Sequence, residues 1–143
     1  MGASVNGYWP GITDEQLEAQ PGFYNDCKAW GNWMAELESV PEVEKALKRL
    51  NAGALMTVKT DGWDDDDVMW VSPAELRDAA QKLREAVQIG KADTKIIVAT
   101  YSRNANGIDP VADEFTRDLD DIIELANYAE AQGVKKMTLE VNW

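Results

Sequence analysis

The sequence predicts one α+β domain over residues 1–143, with a small, mostly antiparallel sheet of about three to four strands. Strands are expected at 54–60, 67–71 and 136–142, with one face of the sheet covered by helices near 23–38, 41–51, 73–89 and 110–132. Three observations carry this reading. Apolar residues recur at steps of three and four through several capped segments, the mark of amphipathic helices. The C-terminal "KKMTLEVNW" alternates strictly, Met137, Leu139, Val141 and Trp143 against Thr138, Glu140 and Asn142, as a half-buried strand does. And 143 residues without repeat, linker or low-complexity stretch suit a single core.

Taken in order, "ASVNGYWPGI" opens as a short strand, and Trp9-Pro10-Gly11 then supplies the residues of a tight turn. Thr13 and Gln16 stand at capping-box spacing and start a short helix that Pro21-Gly22 ends. From Phe23, an apolar stripe runs through Cys27, Trp30, Met34 and Leu37, with Gly31 a weak point inside it. Ser39 and Glu42 repeat the capping-box spacing ahead of "PEVEKALKRLN", whose Val43, Ala46, Leu47 and Leu50 face inward.

"ALMTVKT" and "DVMWV" read as the two strands of a hairpin joined by an acidic loop. Ser72, Pro73 and Glu75 then give the N-cap, first-turn proline and N3 glutamate of a strong helix start, and Gly90 closes that helix. Residues 94–104 are ambiguous: Ile96-Ile97-Val98 favours strand, while Ile97 and Tyr101 at a spacing of four tip the reading to helix. Asp109-Pro110 opens the longest helix, with Val111, Phe115, Leu119, Ile122 and Ala126 inward and Gly133 at its stop.

Composition narrows the function. The chain has no histidine, which removes the usual general base near neutral pH and the Ser-His and Cys-His nucleophile pairs. Cys27 is the only cysteine, so no internal disulfide forms and no Cys/His zinc site can be built. On its apolar stripe Cys27 reads as a small core residue. Aspartate and glutamate number 26 against 14 lysine and arginine, a net charge of -12 that repels nucleic acid and anionic membranes and favours a basic protein surface. No stretch approaches the roughly 18 apolar residues of a membrane span, and the N-terminus lacks an apolar signal core, so the expected location is the cytoplasm.

The stretch "TDGWDDDDVMWV" is the leading site candidate. Counted from Asp61, its sixth residue is Asp66 and its twelfth Ser72, where a calcium loop wants glycine and glutamate. Four consecutive aspartates also alternate sides when extended, so neither a metal nor another cofactor is expected. The sharper reading is a recognition loop. Trp63, Asp64, Asp65, Asp66 and Asp67 would grip a basic partner by cation-π contacts and ion pairs, with Trp63 at the surface and Trp70 in the core.

A second acidic concentration lies on the long helix. Asp113, Asp120 and Glu124 share a face with Arg117, and Glu114, Asp118 and Asp121 form the neighbouring stripe. Asp113, Asp120, Asp121 and Glu124 complete the expected partner-binding set, because the helix dipole gives the later acids no reason to be there.

The reading that results is a non-enzymatic acidic cytosolic binding protein, inhibitor-, immunity- or adaptor-like, with a basic partner. Two alternatives compete. One is a metal- or carboxylate-dependent enzyme acting on a small molecule or glycan, suggested by six tryptophans among many acids, although Glu140 faces away from the core by alternation. The other is a homo-oligomeric structural protein pairing through the C-terminal strand or the Trp30/Trp33 helix.

Overall fold

The computed structural model describes residues 3–25, 41–60, 62–103 and 111–142. At its centre β1 (Ala3–Tyr8) pairs antiparallel on one side with β2 (Phe23–Asn25) and on the other with β3 (Thr138–Asn142), giving the sheet order β2-β1-β3. Val5 stands opposite Val141 and Gly7 opposite Leu139, and all four are buried. The alternate residues Ser4, Asn6 and Tyr8 stand opposite Asn142, Glu140 and Thr138 on the other face. Strand alternation thus splits the sheet into an apolar face that meets the helices and a polar, half-exposed face that does not.

Five α-helices are described: α1 (Asp14–Ala19), α2 (Pro41–Arg49), α3 (Pro73–Ile89), α4 (Thr94–Arg103) and α5 (Val111–Ala131). The Thr13/Gln16 capping box closes reciprocally at the start of α1. The Ser72 hydroxyl accepts from the Glu75 N–H to start α3, which Gly90 ends in the left-handed region at φ 72°. Residues 94–103 resolve as helix, as the Ile97 spacing indicates. α3 and α5 form the main helix pair, and α5 also contacts β1. Leu76, Ala79, Ala80 and Leu83 of α3 and Phe115, Leu119, Ile122 and Ala126 of α5 share the core with Val5, Leu139 and Val141.

The α+β character holds, but the set of strands differs from the expected one. Residues 54–60 and 67–71 do not pair as a hairpin; each contains a 3-10 turn instead, Gly53–Met56 and Asp65–Asp67. Beyond those turns each segment adds one bridge to β3. Lys59 donates to the Leu139 carbonyl (2.8 Å) and accepts from Val141 (2.9 Å), while Val71 exchanges two hydrogen bonds with Met137 (3.1 and 2.7 Å). The Thr57 hydroxyl donates to the Met69 carbonyl (2.6 Å) and shares a hydrogen bond with Thr138 (2.6 Å), which buries Thr138 against the alternation.

Two consequences follow. The apolar, β-branched residues that suggest strands do serve sheet edges, but the partner is distant in sequence. And the C-terminal strand, one expected surface for self-pairing, has its outer backbone groups at 137, 139 and 141 bonded within the chain.

The helix expected over 23–38 begins instead as β2, because Gly22 N–H bonds to the Gln20 carbonyl (2.9 Å) and turns the chain back onto β1. The rest of that segment, with Cys27, Trp30 and Trp33, lies outside the described residues, as do Asp61, Asp109, Pro110 and Trp143.

Candidate partner-binding surface

The polar face of the sheet carries a row of alternating cations and rings. Tyr8 projects from the end of β1, and its ring lies 6.1 Å from that of Trp70 at an interplanar angle of 27°. Lys59, beside Glu140 across the edge of β3, places its Nζ 5.1 Å from the Tyr8 ring centre and 3.8 Å from Glu140 Oε2. Lys136, just before the strand, puts its Nζ 5.1 Å from the Trp70 ring centre. Each contact is a cation-π pair of ordinary geometry.

The acidic run joins this row through Asp65, whose Oδ1 accepts from the Tyr8 hydroxyl at 3.4 Å. Burial, then the charge and hydrogen bond of Asp65, then the charge of Glu140, push the Tyr8 phenol above its ordinary range, so it stays a donor. Local bonds set the turn itself. Trp63 N–H bonds to the Thr60 carbonyl (3.2 Å) across Gly62, whose φ of 86° suits glycine. Asp67 Oδ2 accepts from the Asp64 N–H (3.0 Å), Asp67 N–H donates to the Asp64 carbonyl (2.9 Å), and Val68 N–H reaches Asp65 (3.3 Å). Asp64, Asp65, Asp66 and Asp67 all remain exposed, and none pairs with a lysine or arginine among the described residues.

Neither tryptophan takes its expected place, since both are half-buried. Trp63 is half-buried and packs against the core, so it anchors the turn rather than presenting it. Trp70, expected inside, is half-exposed and stacks on the polar face. After the 3-10 turn residues 68–71 do not alternate as a strand would: Val68 and Val71 are buried, Met69 is exposed and Trp70 lies between, against Tyr8.

The acids of α5 lie on the helix that packs against α3. α3 and α5 run antiparallel, tied by Arg77 to Glu130 through two hydrogen bonds (3.0 and 3.1 Å) and by Arg84 Nε at 2.6 Å from Asp120 Oδ1. Asp120 is therefore engaged by the neighbouring helix. Asp118, placed on an exposed stripe by periodicity, is buried. Glu124 is exposed, Asp121 half-buried, and the Asp113 side chain lies outside the described residues. Arg84 and Asp120 stand roughly 18 Å along α3 from Ser72 at about 1.5 Å per residue. The acidic turn lies before Ser72 and bonds through Asp65 to Tyr8 on the other face of the sheet.

Asp121 gives a pH-dependent expectation. Burial first, then Glu124 and Asp120, raise its carboxyl above the ordinary range, with Arg117 opposing. An acid whose folded value is raised adds stability below its unfolded value, and that contribution is lost as pH rises through the folded one. Asp121→Asn should therefore melt slightly higher than wild type at neutral pH. The advantage should vanish toward acid pH in a thermal melt series, and a variant less stable at neutral pH would contradict the assignment.

Among the described residues, no three of His, Cys, Asp or Glu converge where they could hold a metal ion, and no helix is long and apolar enough to cross a membrane. Compared with family models, curated proteins and solved structures, the chain matches none of them.

Proposed function

We propose that this is a non-enzymatic acidic binding protein, inhibitor-, immunity- or adaptor-like, that recognises a basic protein surface through Asp64, Asp65, Asp66 and Asp67 and the aromatic pair beside them. One observation carries the reading. Four exposed carboxylates without a described cationic partner sit on a turn held at its start by the anchored Trp63 and at its second acid by the Tyr8–Asp65 contact. A loop held in place before encounter loses little conformational entropy on binding, so the charge complementarity is not offset by ordering. The net charge of -12 adds steering toward a cation-rich surface. Glu124 is a peripheral contributor to that field, and Asp120, paired to Arg84, a weaker one.

The test is affinity capture on the immobilised protein at low and high salt, with D64N/D65N/D66N/D67N in parallel. The basic partner should elute steeply with added salt, because its ion pairs are screened within roughly 10 Å at 0.1 M. The quadruple variant should lose at least about ten-fold in affinity, the equivalent of only one strong charge-assisted hydrogen bond. Retention that ignores both salt and the four substitutions would remove the turn from the function.

A further inference from the structure

Resting on the binding function proposed above, we infer that the basic partner docks on the polar face of the sheet with arginine rather than lysine, one guanidinium taking the place of Lys136 over Trp70, on the surface that Asp65 joins through Tyr8. The face is already shaped to seat cations, since two of the chain's own lysines lie over its two rings at 5.1 Å. Those lysines also show what an ammonium achieves there. Lys59 serves a ring and a carboxylate together, and its Nζ ends 3.8 Å from Glu140 Oε2, outside hydrogen-bond range. Lys136 covers Trp70 and forms no ion pair with any described carboxylate.

A guanidinium avoids that compromise. Its planar face stacks on an indole while its in-plane N–H groups stay free for a carboxylate, and it is less strongly hydrated than an ammonium. The Tyr8 contact holds Asp65 at the phenol end of Tyr8, whose ring stacks on that of Trp70, so carboxylate and rings belong to one surface. Lys136 is exposed and, among the described residues, its ammonium is held by the ring without an ion pair, which makes it the group that gives way. The exposed acids 64, 66 and 67 then meet the remaining positive charge of the segment. Charge complementarity thus fixes the occupant as a basic polypeptide, and the ring selects among basic side chains.

The probes are oligo-arginine and oligo-lysine peptides of equal length, titrated calorimetrically into wild type, Trp70→Leu and Lys136→Ala. Wild type should prefer the arginine peptide by about five-fold, the size of an exposed cation-π contact. Trp70→Leu should abolish the preference. Lys136→Ala, at an exposed position where folding is not at stake, should widen it by about two-fold by removing the competing cation. Equal binding of the two peptides by wild type, or a preference that Lys136→Ala leaves unmoved, overturns the inference while leaving a basic-partner protein in place. Binding of neither peptide overturns the proposed function beneath it.

Discussion

Phe115→Ala is expected to cost about 3–5 kcal/mol of folding free energy, the usual range for removing a fully buried phenylalanine. Phe115 is the largest completely buried side chain in the described core. It belongs to the helix that packs on α3 and is a member of the continuous core, so the void would open inside that core. Collapse into that void is limited because Leu119 and Ile122 are already held on the same helix face. A domain with a total stability of about 5–15 kcal/mol would lose a large part of it. Urea unfolding followed by circular dichroism should show a lower midpoint at unchanged slope. Phe115→Leu keeps most of the volume and should lose less than about 2 kcal/mol. A loss below about 1 kcal/mol for the alanine variant would mean that α5 does not cover the sheet as described. Unlike the acidic-turn variants, this one should impair partner capture only to the extent that the protein unfolds.

Elements whose partners are implied by their own periodicity were legible in the sequence. Ser72, Pro73 and Gly90 bound α3 at both ends, and its apolar stripe needs only some core to face. The alternation from Met137 to Val141 likewise names a buried face without naming the neighbour. The two segments around the acidic run were not legible in this way. Their β-branched and aromatic residues signal an edge to be paired, but Lys59 and Val71 find that edge 81 and 66 residues downstream, at Glu140 of β3 and at Met137 just before it, separations no local pattern encodes. The nearer partner, each other, was the default inference and the wrong one.

The same missing strand pairing moves the two tryptophans. With Asp65–Asp67 a 3-10 turn, residues 68–71 lose strict alternation, Val68 and Val71 are both buried, and Trp70 is left half-buried against Tyr8. The exposed carboxylates themselves were readable from sequence. The Tyr8 side chain that meets Asp65, and the Lys59 and Lys136 side chains that cover the neighbouring rings, were not, because they come from three separate stretches joined only by the sheet.

Gln20 carries the second large expectation, and it concerns the strand from which Tyr8 projects. β2 pairs only with Ala3, Ser4 and Val5, which leaves the Gly7 peptide groups on that edge without a strand neighbour. The buried Gln20 carboxamide takes the neighbour's place: its Oε1 accepts from Gly7 N–H at 2.6 Å and its Nε2 donates to the Gly7 carbonyl at 3.2 Å. The approach is close enough that a Cβ on residue 7 would lie 3.2 Å from Gln20 Oε1 and 3.2 Å from Met137 Cε.

Gln20→Leu fills similar space, keeps water out and satisfies neither peptide group, so it should cost roughly 2–5 kcal/mol, about 1–3 for each orphaned group. Gln20→Glu separates the two bonds. Its ionised carboxylate still accepts from Gly7 N–H but turns a lone pair toward the Gly7 carbonyl, whereas the protonated acid both accepts and donates. Its folded-state pKa should therefore be raised by burial and by that carbonyl. The stability of Gln20→Glu should approach wild type below the unfolded carboxyl value, and the gap should open as pH rises through the folded one. Urea midpoints across a pH series measure this directly. A pH-independent Gln20→Glu, or a Gln20→Leu variant within about 1 kcal/mol of wild type, would mean that the carboxamide does not complete the sheet. If it does, the end of β1 is set by a single side chain. Loosening it should then weaken binding at the Tyr8–Trp70 surface before the fold as a whole gives way.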